Sequence, residues 1–130
     1  MRSEWLLAIA LTGCAGTIDD PTAFTHAGST AHAACGDVEA TLASRCATAG
    51  CHAATNPSGG LDLATPGTLA RLTGKPASGG GVLVVAGYAA HSVLYLKLTA
   101  SPPFGARMPY GGSLDDATIA CVHDWITEAR

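Results

Sequence analysis

Cys46-Ala47-Thr48-Ala49-Gly50-Cys51-His52 is the stretch of the chain best equipped to do chemistry. Two thiols followed directly by an imidazole can add across the two vinyl groups of a haem and supply its iron with an axial nitrogen. The usual motif has two residues between the cysteines, whereas four stand between Cys46 and Cys51. The Cys–His junction couples attachment to ligation, and the residues between the thiols only form the loop that joins the attachment points. A longer loop can therefore bulge without moving the histidine. Taken alone, the C-x4-C-H pattern also fits a local disulfide, or a zinc ligand pair that lacks an evident fourth ligand.

A second donor would strengthen the haem reading. Besides Met1, the one methionine is Met108, within Gly105-Ala106-Arg107-Met108-Pro109-Tyr110-Gly111-Gly112. A lone methionine usually fills a gap in a core. This one stands among glycines and prolines, an odd place for filler, and its thioether would be a natural axial donor opposite His52 that raises the potential relative to two histidines. Pro109 restricts Met108 to extended conformations and stiffens the loop.

The elements that must position these residues follow in order. Asp37 can cap a helix over 38–46, with Val38 and Leu42 facing inward, and that helix delivers Cys46 to the motif. Asn56-Pro57-Ser58-Gly59-Gly60 is a turn cluster, and Leu61-Asp62-Leu63 a short extended piece. Thr65 as N-cap, Pro66 at the first helical position and Gly74 as the stop predict a helix over 66–73, with Leu69 and Leu72 buried. Gly74-Lys75 is no phosphate loop, because position 69 is Leu where the pattern demands Gly. Val82-Leu83-Val84-Val85 reads as extended. Ser92 can cap the segment 93–99, which fits a strand or a helix equally, and Pro102-Pro103 close it.

The last helix is the clearest element. Ser113 and Asp116 make a capping-box-like start, and Asp115 and Asp116 suit the positive end of its dipole. Leu114, Ala117, Cys121, Val122, Trp125, Ile126 and Ala129 form an apolar face, which leaves His123 on the solvated side. His91 reads as structural or exposed, and as a reserve iron ligand.

Length, composition and the N-terminal segment set the frame. The 130 residues make one domain at most, and only 5% are aromatic, so Leu, Val, Ile and Ala, or a group brought from outside, must fill the core. A net charge of −3 with no basic stripe argues against a nucleic-acid partner. Residues 1–13 read as a lipoprotein signal peptide: Arg2, a short apolar run from Trp5 to Leu11, and Leu11-Thr12-Gly13-Cys14, which resembles a bacterial lipobox with Cys14 as the lipidated residue. A thioether-linked diacylglycerol and an amide-linked acyl chain there would anchor the chain stably to a membrane, and Ala15 gives a weak preference for the outer one. Residues 14–34 read as a flexible tether in which His26 and His32 are solvated, and residues 35–130 as the folded domain.

CATAGCH, GLDL, HSVLYLKLT and GARMPYGGSLDDATIACVHDWITEA together resemble the small class I-type cytochrome c domains of myxobacterial and planctomycete secreted lipoproteins. The resemblance covers residues 35–130 and is most specific from Arg107-Met108-Pro109 into the terminal helix. It implies an all-α, cytochrome c-like fold of about four short helices with long loops, the first and last helices crossing around one covalent haem c. Cys46 and Cys51 would be the thioether attachments, His52 the proximal ligand and Met108 the distal one, and the segment 93–99 would be helical. On that assignment, with Cys14 lipidated, Cys35 and Cys121 remain and would form a disulfide in an oxidising envelope.

The function implied is a non-enzymatic electron carrier. It would be held by its lipid anchor in the bacterial cell envelope, the domain on the periplasmic or outer side, and exchange one electron with envelope redox partner proteins. The competing class is a haem-free lipoprotein domain in which Cys46 and Cys51 form a disulfide and the domain serves as a binding module.

Overall fold

A computed structural model describes residues 35–130. The signal peptide, Cys14, the tether, His26 and His32 lie outside the described residues. Four α-helices lie wholly within them: α1 (Val38–Cys46), α2 (Thr68–Leu72), α3 (Val93–Leu96) and α4 (Asp116–Thr127). Single 3-10 turns occupy Ser58–Gly60 and Ala89–His91. Long loops join these elements, and the class is all-α. The extended run 82–85 makes isolated bridges, Thr73 to Val84, Pro76 to Val82 and Val82 to Ser92, and no strand forms among the described residues. Among them, no helix is long and apolar enough to cross a membrane.

Helix α1 begins where its cap chemistry directs, with Asp37 accepting from the Ala40 amide at 3.0 Å. Val38, Leu42 and Cys46 recur at four-residue spacing and are its buried side chains. The α1 and α4 helices pack on each other, and a disulfide joins Cys35 to Cys121 with their Cα atoms 5.3 Å apart. Leu42, Val84, Val122 and Ile126 form the centre of the core, each at most 1% exposed.

Three expected helix caps differ from the observed ones, and α3 ends at Leu96, short of the helix over 93–99 that the resemblance implied. Helix α2 opens at Thr68 rather than at residue 66, with Gly67 in the left-handed conformation at its N-cap. Its cap comes from α1, where the Glu39 carboxylate accepts from the amides of Gly67 at 2.9 Å and Leu69 at 3.2 Å. Ser92 precedes α3 but does not cap it. Its hydroxyl is fully buried, donates to the Tyr88 carbonyl and accepts from the Val85 amide at 2.8 Å. Helix α4 is capped by Asp115 and not Ser113: one carboxylate oxygen accepts from the Thr118 amide and the other from its hydroxyl, each at 2.8 Å. Ala117, expected on the apolar face, is exposed.

Candidate functional site

Helix α1 ends at Cys46, and the motif loop turns straight back onto it. The Cys51 amide donates to the Thr48 carbonyl at 2.9 Å, and the His52 amide donates to the Cys46 carbonyl at 3.1 Å. Gly50 takes φ +81° inside this turn, a conformation that costs an L side chain but not glycine. The two residues beyond the usual spacing are thus taken up in a closed turn, and His52 returns to the end of the helix.

The strand-like segment after the turn cluster holds the imidazole. Leu63 donates its amide to the His52 carbonyl at 2.9 Å, and His52 Nδ1 lies 3.2 Å from the Leu61 carbonyl oxygen. A carbonyl can only accept, so Nδ1 is the donor, and in the neutral ring Nε2 is the nitrogen with a free lone pair. Metal-binding histidines are oriented in this manner, by a hydrogen bond from the ring nitrogen that does not ligate.

Met108 reaches the same region from the loop before α4. Its amide donates to the Lys97 carbonyl at 2.8 Å, and its peptide bond to Pro109 is cis. The side chain is half-buried and packs against the core.

Cys46, Cys51, His52 and Met108 all line one cleft of about 600 Å³, a volume within the ~300–1,000 Å³ of small-molecule and cofactor sites. Leu42, Leu61, Leu63, Leu83, Leu94 and Leu98 supply aliphatic walls. The charged groups at its edge are Arg45 and Lys97, with no carboxylate among the described residues that line it. Tyr110, 83% exposed, stands at the rim.

Cys46 and Cys51 are both free cysteines, the first buried and the second exposed. One thiol belongs to the buried face of α1 and the other is exposed beyond its end. Burial pushes the Cys46 thiol above its ordinary pKa, the nearby Cys51 adds to the rise, and Arg45 opposes it. Among the described residues no three His, Cys, Asp or Glu side chains group to hold a metal ion.

His91 is exposed, with its ring 6.3 Å from that of Tyr88, and it is not among the residues that line the cleft. His123 is 43% exposed, bonded to Asp124, and its ring meets Tyr95 edge-on at 5.2 Å. The residues that sequence patterns did not single out are Leu61, whose contribution is a main-chain carbonyl, and Lys97.

Two thiols, an imidazole fixed through Nδ1 and a thioether, set in an aliphatic cleft of this volume, are a donor set and an enclosure that fit a covalently held haem. No family model, no curated protein and no solved structure matches the chain.

Proposed function

We propose that residues 35–130 are a cytochrome c-like domain that binds one covalent haem and passes single electrons between redox partner proteins of the bacterial envelope. The observation that carries this reading is the meeting of Cys46, Cys51, His52 and Met108 in one aliphatic cleft, with the imidazole proton committed to the Leu61 carbonyl. The packing of α1 on α4 and the Cys35–Cys121 link suit that fold.

Cys46 and Cys51 would hold the haem through thioether bonds, and His52 Nε2 and the Met108 sulfur would be the donors to its iron. A haem bound there would supply one-electron chemistry between ferric and ferrous iron. The remaining contributions belong to the chain. The Leu61 carbonyl fixes the orientation of the imidazole and raises its basicity. The thioether favours the reduced form relative to a second imidazole, and the leucine walls limit water around the site. Electron transfer of this kind requires no general acid or base, so the domain is a carrier and not an enzyme. Cys14 would anchor it to the membrane, with residues 14–34 as the tether and the domain on the periplasmic or outer side.

Protein made in a host able to attach haem at this spacing should be red, give a pyridine haemochrome spectrum and retain haem through acid-acetone extraction. Colourless protein from such a host overturns the reading.

A further inference from the structure

The loop that carries Met108 is fastened to the end of α3 at several points, and Lys97 is present at most of them. The carbonyls that end a helix have no partner within it. Here the Lys97 carbonyl accepts from the Met108 amide at 2.8 Å, and the Leu98 carbonyl accepts from Arg107 Nε at 2.7 Å. In the other direction Lys97 Nζ donates to the carbonyls of Phe104 and Ala106 and stands 4.8 Å from the centre of the Phe104 ring. Gly79 packs closely against the Phe104 ring, where a Cβ would come within 2.3 Å of it.

A surface lysine ordinarily keeps its ammonium in water and lays only its stem along the protein. Lys97 does the opposite. It is half-buried, lines the cleft and spends its donors on the main chain of the loop two to four residues before Met108. Charge-assisted bonds to two carbonyls are among the stronger restraints a side chain can place on a loop.

We propose that Lys97 is a positioning residue for the axial sulfur: by tying Phe104 and Ala106 to α3 it fixes the course of the loop and thereby presents the Met108 thioether to the cleft. This rests on the haem reading given above. It predicts that Lys97 governs the Met108–iron bond without governing haem attachment, which depends on Cys46 and Cys51.

The test compares haem-loaded native protein with Lys97→Met, Lys97→Gln and Lys97→Arg. Lys97→Met should keep covalent haem and native helix content but lose most of the sulfur-to-iron charge-transfer band and shift the midpoint potential downward. Exchange of the Met108 amide should rise roughly tenfold, the effect of losing a charge-assisted bond. Lys97→Gln, with a shorter donor, should fall between, and Lys97→Arg, which can still donate to two carbonyls, should restore much of the band. An unchanged band and potential in Lys97→Met and Lys97→Gln overturn the proposal. So does failure of all three variants to fold, which would assign Lys97 to the fold and not to the sulfur. Native protein without haem removes the underlying reading and the proposal with it, whereas red native protein with indifferent variants removes the proposal alone.

Discussion

His52 Nδ1 lies 3.2 Å from the main-chain oxygen of Leu61. In the neutral ring this one hydrogen bond selects the tautomer with the proton on Nδ1 and leaves Nε2 as the nitrogen able to ligate. It connects the C-x4-C-H turn to the segment 61–63, which a second bond, from the Leu63 amide to the His52 carbonyl at 2.9 Å, holds alongside it. The imidazole is thus fixed from its main chain and its ring together.

If the Met108 thioether is the second axial donor, Met108→Ala should abolish the sulfur-to-iron charge-transfer band and lower the midpoint potential while leaving haem covalently attached. Helix content by far-UV circular dichroism should not change, because Met108 lies outside all four helices. Persistence of the band would assign the axial role elsewhere.

Gly50 allows the four-residue loop to close. A Cβ at this position would meet no atom within 4 Å, yet φ is +81°, so Gly50→Ala should act through the backbone alone. The expected cost is about 1–2 kcal/mol, read as a lower urea midpoint, together with less complete haem attachment from a loosened turn. Equal stability would mean that the loop adopts another course.

The Cys35–Cys121 disulfide spans 86 residues of chain, and most of the described residues lie inside that loop. Replacing both cysteines with serine should lower unfolding stability by about 2–4 kcal/mol in urea titrations under non-reducing conditions. An unchanged midpoint would show that the packing of α1 on α4 needs no staple.

Two carboxylates set the acid limit. Asp62 is held below the usual carboxylate range by hydrogen bonds from the Thr65 side chain and main chain, with smaller help from the Ala64 amide and Arg71. Asp115 is held low by the main-chain and side-chain bonds of Thr118. A carboxyl whose folded pKa is depressed binds its proton more readily when unfolded. Its stabilisation is therefore complete above the unfolded value, about 3.9, and is lost as pH falls through the lower folded value. The melting temperature should decline below about pH 4, and the decline should be shallower in Asp62→Asn/Asp115→Asn. Parallel native and variant profiles over that range would contradict these assignments.

What the sequence disclosed and what it concealed divide along the range of the interactions. Helix α1 was legible from Asp37 and the spacing of Val38, Leu42 and Cys46, because its cap and its apolar face are both local. The start of α2 was not, because Glu39 caps it from α1 across nearly thirty positions. Ser92 occupies a cap position but gives its hydroxyl to the loop before it. At α4, Ser113 and Asp115 are rival caps two residues apart, and the Thr118 hydroxyl favours Asp115. The residue types of the cleft could be read directly in Cys46, Cys51, His52 and Met108. The groups that hold them could not: a Leu61 carbonyl is invisible to side-chain patterns, and Lys97 is recognised only from the turn of its ammonium toward Phe104 and Ala106.

The most direct measurement is mass spectrometry of one peptide. Trypsin cuts after Arg45 and Arg71, so the fragment 46–71 contains Cys46, Cys51 and His52 and no other cysteine. From protein made in a host competent for such attachment, this fragment should carry the mass of one haem and offer no thiol to alkylation. The same fragment without added mass, with two alkylatable thiols or an internal disulfide, would contradict the account.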